Sequence, residues 1–299
     1  MRFSFPARYD QTGVLMTNQL ALFGGHEITP RPAKPALKYY GGKWSLADWV
    51  ISHFPHGFER MHYVEPFGGA ASVLLQKPRS FLETYNDLDS RLVTFFRVLR
   101  ERPNELVRVL ELTPHSREEY SLALVDAGRG ELEIARSVFV AYWQGIAGNT
   151  ARPGWRVSRF AGSRYVTPPA EFAGIVDGLQ AIAERLRFVQ IENFDGFELI
   201  SRTDSAETLF YLDPPYESET RAAPESYRFE WDSGNHSRLS ESLRGIRGYA
   251  LVSGKRTPLY DELFSGWHRV DQVSRTNSGG SAVESLYLSP RFSENLGTM

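Results

Sequence analysis

The chain has 299 residues and no cysteine, which removes disulfide frameworks, thiolate metal sites, iron–sulfur clusters and cysteine nucleophiles before any motif is read. Hydrophobic residues at 41% and charged residues at 23% describe a globular protein with a substantial core, long enough for about two domains. With 34 Lys and Arg against 36 Asp and Glu the net charge is −2, so a surface for any polyanion must be local.

Residues 1–35 mix Gly24-Gly25, Thr29-Pro30-Arg31-Pro32 and Lys34-Pro35 without periodicity and read as a flexible arm closed by a proline-rich linker. Their short apolar stretches lack the core of a secretory leader. The longest unbroken apolar run, Val138–Trp143, is far below the ~20 residues of a membrane span, so a cytoplasmic protein without membrane contact is expected.

From Ala36 onward strands and helices alternate. His62–Glu65 reads as a strand running through Pro66-Phe67-Gly68-Gly69-Ala70 into a helix over Ala71–Gln76. Ser80–Tyr85 is a second strand, closing on Asn86-Asp87, and Ser90–Arg100 an amphipathic helix. Further strands are expected at Arg187–Ile191, Thr208–Leu212 and Tyr249–Ser253, and Trp267–Val273 with Ala282–Leu288 forms a terminal antiparallel pair. This rhythm predicts an α/β fold, a doubly wound Rossmann-like sheet carried by 36–95 and 186–299. Helical patterns at Pro103–Leu112, Ser116–Ala127 and Glu131–Trp143 break the rhythm and mark 96–185 as an inserted helical domain.

The sharpest chemical signal is Asp213-Pro214-Pro215-Tyr216, directly after an apolar strand. An exocyclic amine on a nucleobase is a poor nucleophile because its lone pair is delocalised into the ring. A site that makes it attack must accept both N–H hydrogens, and the Asp213 carboxylate with the Pro214 carbonyl supplies two acceptors where open α/β sheets bind ligands. Pro214 and Pro215 fix the turn, and Tyr216 offers a ring on which a planar base stacks. The second signal is Glu65-Pro66-Phe67-Gly68-Gly69, a strand entering a glycine turn, with an acid able to hold a cationic amine. Asp87 follows Gly68 by 19 residues at the end of the next strand, where nucleoside-binding folds place an acid on ribose hydroxyls. No phosphate-cradling GxGxxG is present, so the ligand expected is S-adenosylmethionine rather than a dinucleotide. A third segment, Lys38-Tyr39-Tyr40-Gly41-Gly42-Lys43, reads as a second wall of that pocket.

Together these segments resemble the Dam-like family of DNA adenine N6-methyltransferases over residues 36–290. The resemblance implies that Tyr39, Gly42 and Lys43 border the cofactor, that Glu65, Phe67 and Gly68 belong to its binding loop, and that Asp87 takes the ribose hydroxyls. It further implies that Asp195, in Asn193-Phe194-Asp195-Gly196-Phe197, meets the cofactor's adenine, and that Asp213–Tyr216 holds the target base. Residues 36–95 and 186–299 would then be catalytic, and 96–185 would recognise duplex DNA. Gly145–Arg152 departs from the family's longer Asn-Gly-Leu-x-Arg phrase, which leaves the recognised sequence open.

Residues 135–170 contain no Asp or Glu. There Arg136, Arg152, Arg156, Arg159 and Arg164 alternate with Tyr142, Trp143, Trp155, Phe160 and Tyr165, a pattern suited to phosphates and a displaced base. His53, His56 and His62 lack metal-ligand spacing, so no metal is expected. Gln19-Leu20-Ala21-Leu22-Phe23 resembles the peptide with which bacterial proteins dock on the replication sliding clamp. The expected activity is a base-flipping adenine N6-methyltransferase. Cytosine N4 methylation, which uses the same geometry, and a catalytically silent DNA-binding subunit are the alternatives. Cytosine C5 methylation is excluded, because it needs a thiolate.

Overall fold

A computed structural model describes residues 31–125, 130–146, 154–157, 166–217, 220, 228–275 and 281–294. It contains a seven-stranded sheet in the order β3-β2-β1-β4-β5-β7-β6. The strands are β1 (His62–Glu65), β2 (Leu82–Asn86), β3 (Gln190–Glu192), β4 (Thr208–Leu212), β5 (Tyr249–Gly254), β6 (His268–Arg275) and β7 (Ser281–Leu288). β1 to β5 are parallel, and β7 enters antiparallel to β5 as one arm of a hairpin with β6. The expected doubly wound sheet with an antiparallel C-terminal pair is therefore present. β3 begins at Gln190 rather than Arg187. Helical-turn bonds from Arg187 N–H to the Glu184 carbonyl and from Val189 N–H to the Leu186 carbonyl delay it, and Phe188 turns outward.

Period-two alternation sorts the strand side chains onto two faces. Tyr63, Leu209, Tyr211, Tyr249, Leu251, Leu286 and Leu288 join one buried cluster, while Val64, Phe210, Leu212, Ala250, Val252 and Tyr287 join the other. The first face is covered by helices that include α2 (Ser72–Gln76), α3 (Ser90–Glu101), α6 (Glu131–Gln144) and α8 (Leu179–Leu186), after α1 (Ala47–Ile51). Helices α4 (Pro103–Glu111), α5 (Arg117–Ala123) and α7 (Pro168–Val176) lie in the same 96–185 region. The second face carries α9 (Gly196–Thr203), α10 (Ser233–Leu243) and α11 (Pro258–Leu263). Proline occupies the first turn of α4, α7 and α11, where its missing N–H costs nothing.

Helices from 96–185 share their core with the sheet. Phe139 of α6 stacks 6.3 Å from Phe95 of α3 and meets Phe172 of α7 edge-on at 5.1 Å. Trp143 Nε1 donates to the Ala36 carbonyl at 2.9 Å, tying the end of α6 to the entry of the chain. Beneath α2 lies a charge cluster with almost no exposure. Glu83 of β2 is paired with Lys77 and accepts from both ends of the Arg185 guanidinium at 2.6 and 2.8 Å, while Arg185 also donates to the Leu74 carbonyl. Burial of ions is tolerable here because every charge is paired and hydrogen-bonded.

Candidate active site

Strand order reverses at β1, which is flanked by β2 on one side and β4 on the other. Loops leaving the carboxyl ends of β1 and β4 diverge there and open a cleft, the position at which open α/β sheets bind ligands. Tyr39, Gly42, Lys43, Glu65, Phe67, Gly68, Asp87, Asp195 and Asp213 all line that one cleft. Pro215 lines it too, whereas Pro214 is buried in the turn.

Asp213 follows the last residue of β4. Lys43 Nζ lies 2.9 Å from its Oδ1 and 3.1 Å from its Oδ2, with the hydrogen bond made to Oδ2 and a second one to the Gly41 carbonyl at 2.7 Å. The geometry leaves Asp213 Oδ1 buried without a hydrogen bond. Burial raises the Asp213 pKa above the usual carboxylate value, and the Lys43 ammonium opposes that rise. Lys43 Nζ also sits 4.6 Å over the Tyr216 ring, so the turn residues and the Gly41-Gly42-Lys43 segment meet at one point.

The loop after β1 is shaped by two glycines. A Cβ on Gly68 would stand 2.3 Å from the Tyr85 ring and 3.0 Å from the Asn86 carbonyl oxygen, so no side chain fits. Gly69 has φ +48° and donates its N–H to Asp87 Oδ2 at 2.9 Å, while Asp87 Oδ1 accepts from the Asp89 N–H at 2.8 Å. Burial pushes Asp87 up to about 6 despite these bonds. Glu65 Oε1 accepts from the Tyr63 hydroxyl at 2.5 Å and the Leu74 N–H at 2.7 Å, and burial pushes this carboxyl up to about 7. Three of the acids lining the cleft, Asp213, Asp87 and Glu65, are thus shifted toward the neutral form by desolvation.

At the β3 side Asp195 caps α9, its Oδ1 accepting from Phe197 N–H at 2.8 Å, and its Oδ2 lies 3.5 Å from Arg238. Phe67, Phe197 and Trp231 form an aromatic group beside it, with ring centroids 5.0 Å apart for Phe67–Trp231 and 5.6 Å for Phe197–Trp231. Gly196 lets Phe67 approach, since a Cβ there would fall 2.3 Å from the ring. Sequence reasoning missed Trp231, Asn235 and Arg238, which also line the cleft. The signal for Asn235 and Arg238 was the Asp232 capping box that starts α10 and presents them on its first turns; Trp231 directly precedes that cap. Arg228 and Phe229, ahead of Trp231, line the cleft as well.

Residues 39–126 match a family model described as D12 class N6 adenine-specific DNA methyltransferase. The chain is also 28% identical over 271 residues to the Type II methyltransferase M1.LlaDCHI of Lactococcus lactis subsp. cremoris, covering 83% of this chain and 91% of that protein. Both matches support the reading of the chain as a DNA adenine methyltransferase. Among solved structures, the methyltransferase resembles the SAM-dependent methyltransferase from Agrobacterium tumefaciens at 10% identity and a TM-score of 0.38, spanning 83% of this chain and 62% of that one.

Of the arginines expected to face DNA, Arg136 and Arg156 are each held in ion pairs. The Arg136 guanidinium is held by Glu133, three residues earlier in α6, at 2.7 Å and by Glu119 of α5 at 2.6 Å. Arg156 is ion-paired with Glu171, which lies just after the acid-free stretch of sequence, and both side chains stay partly exposed. Arg152, Arg159 and Arg164 lie outside the described residues, as does Gln19–Phe23. Among the described residues no cluster of three or more His, Asp or Glu could hold a metal ion, and no helix is long and apolar enough to cross a membrane.

Proposed function

We propose that the methyltransferase binds S-adenosylmethionine in the cleft at the β1/β4 switch point and grips an extruded adenine at the Asp213–Tyr216 turn. The observation that carries this reading is the convergence of Asp213, Glu65, Asp87 and Asp195 from four different strand ends on one cleft. The residues suit the cofactor: acids for a cationic amine and ribose hydroxyls, Phe67, Phe197 and Trp231 for an adenine ring, and glycine backbone where close approach is needed. Asp87 would hold the ribose, Asp195 the adenine, and Glu65 with the Tyr39–Lys43 segment the methionine end. When bound, S-adenosylmethionine supplies an electrophilic methyl group on a sulfonium sulfur.

The chain's own contribution is positioning. Asp213 and the Pro214 carbonyl accept the two N–H hydrogens of the target amine, which turns its lone pair out of conjugation and toward the methyl group. The bound cofactor would supply the methyl group to that nitrogen, while Asp213 and the Pro214 carbonyl would hold the two N–H groups, with Asp213 placed to take the proton the amine loses. Lys43 opposes the desolvation of Asp213 and so favours its ionised, accepting form. Tyr216 stacks under the base, and extrusion of the base from the duplex precedes all of this.

On the DNA side we assign recognition to 96–185, with Arg152, Arg159 and Arg164 as contacts and Arg156 as a weaker one because Glu171 competes for it. The test is methyl transfer to methylation-free duplex DNA followed by nucleoside mass spectrometry. N6-methyladenine is the expected product; N4-methylcytosine, or no product, overturns the reading.

A further inference from the structure

Tyr216 has a partner on the edge hairpin. Its hydroxyl donates to Glu284 Oε2 at 2.8 Å, across 68 residues of sequence. Register explains the meeting. On β7, Ser285 lies opposite Gly254, the last residue of β5, so Glu284 sits just beyond the carboxyl end of β5, where it pairs only with Gln272 of β6. That is the same edge at which Asp213–Tyr216 leaves the neighbouring strand β4. Tyr216 is 8% exposed, with its hydroxyl end held by Glu284 and its ring capped by Lys43 Nζ.

We propose that Glu284 is a positioning residue of the methyl-transfer site, fixing where the Tyr216 ring lies for the target base to stack on it. The proposal rests on the reading of Tyr216 as the base platform. A tyrosine ring is placed by two torsions, and a stacking surface is useful only when both are set before the base arrives. Lys43 alone does not set both, because a cation over one face restrains the ring plane but leaves the far end of the ring free to shift beneath it. A hydrogen bond from the para hydroxyl, whose oxygen lies on the axis of the second torsion, fixes the first torsion by anchoring the far end of the ring to the β6–β7 hairpin. Burial, with Asp213 and Glu284 nearby, holds the phenol well above its usual pKa, which keeps the hydroxyl in its donor form.

The test compares full-length wild type, E284A, E284Q, Y216F, Y216A and E284A/Y216F. It measures kcat and KM on methylation-free DNA, cofactor Kd, and thermal midpoint, with Q272A as a control for hairpin damage. E284A and Y216F should each lower kcat about tenfold, the scale of one lost hydrogen bond to a charged group, with cofactor Kd unchanged. The double variant should fall no further than either single one, because both remove the same bond. E284Q keeps an acceptor oxygen and should stay within about threefold of wild type. Wild-type turnover in E284A, losses that multiply in the double variant, or E284Q as impaired as E284A would each overturn the proposal. If E284A fails to fold, Y216F and E284Q decide: wild-type turnover in Y216F also overturns it. Y216A separates the two levels of the argument. An inactive Y216A with a normal E284A sinks only the role of Glu284, whereas a fully active Y216A removes the base platform and this proposal with it.

Discussion

Asp213 and Glu65 are both carboxylates raised by burial, yet they make opposite demands on pH. Asp213 acts only when ionised, and desolvation raises its pKa, so the acid limb of kcat should lie above the ordinary carboxylate range of about 4. A kcat–pH profile flat down to about pH 4 would contradict this. Glu65 instead affects stability. Its pKa rises on folding from 4.5 to about 7, so between those values the folded state holds a proton that the unfolded state has lost. Its contribution is fully present below pH 4.5 and is lost as pH rises to about 7. E65Q retains an acceptor for the Tyr63 hydroxyl and Leu74 N–H without that liability. Relative to wild type, its thermal midpoint should therefore improve as pH is raised from about 5 to 7.5, and a constant difference across that range would count against the assignment.

The loop from β1 into α2 is the element on which the cleft depends most. G68A would press a methyl group against Tyr85, whose hydroxyl is itself bonded to the Gly69 carbonyl at 2.8 Å. We expect about 1–3 kcal/mol of destabilisation and a cofactor Kd weakened at least about tenfold; unchanged affinity in calorimetry would show that the loop does not cradle the ligand. Beneath it, the Lys77–Glu83–Arg185 cluster ties α2 and α8 to β2. E83A strands two buried cations and should cost about 3–5 kcal/mol in denaturant unfolding, whereas a loss below about 1 kcal/mol would mean that the cluster is not a structural strap. The glycine loop was legible from sequence because its residues are contiguous and their spacing to Asp87 is fixed by one strand–helix–strand unit. The charge cluster was not, since Glu83 and Arg185 are 102 positions apart and nothing local distinguishes them from solvated charges.

At the scale of the whole chain, strand positions were readable because fully buried strands such as Thr208–Leu212 stand out as apolar runs bounded by turn residues. The error at β3 arose where a helix ended in apolar residues that imitate a strand. The site was readable where motifs are local, and it failed where partners arrive through topology: Trp231 on the approach to α10, Glu284 on the edge hairpin, and Glu119 of α5 beside Arg136. An acid-free stretch of sequence is thus no guarantee of a bare cationic surface. What unites the molecule is a sheet whose reversal at β1 and β4 brings four strand ends to one cleft, with Asp213 where a target amine would meet a methyl donor. The most direct test is a side-by-side measurement of cofactor affinity and single-turnover methyl transfer in D213A. Cofactor Kd within about threefold of wild type together with undetectable transfer is the predicted result. Methyl transfer at the wild-type rate would remove Asp213 from the chemistry.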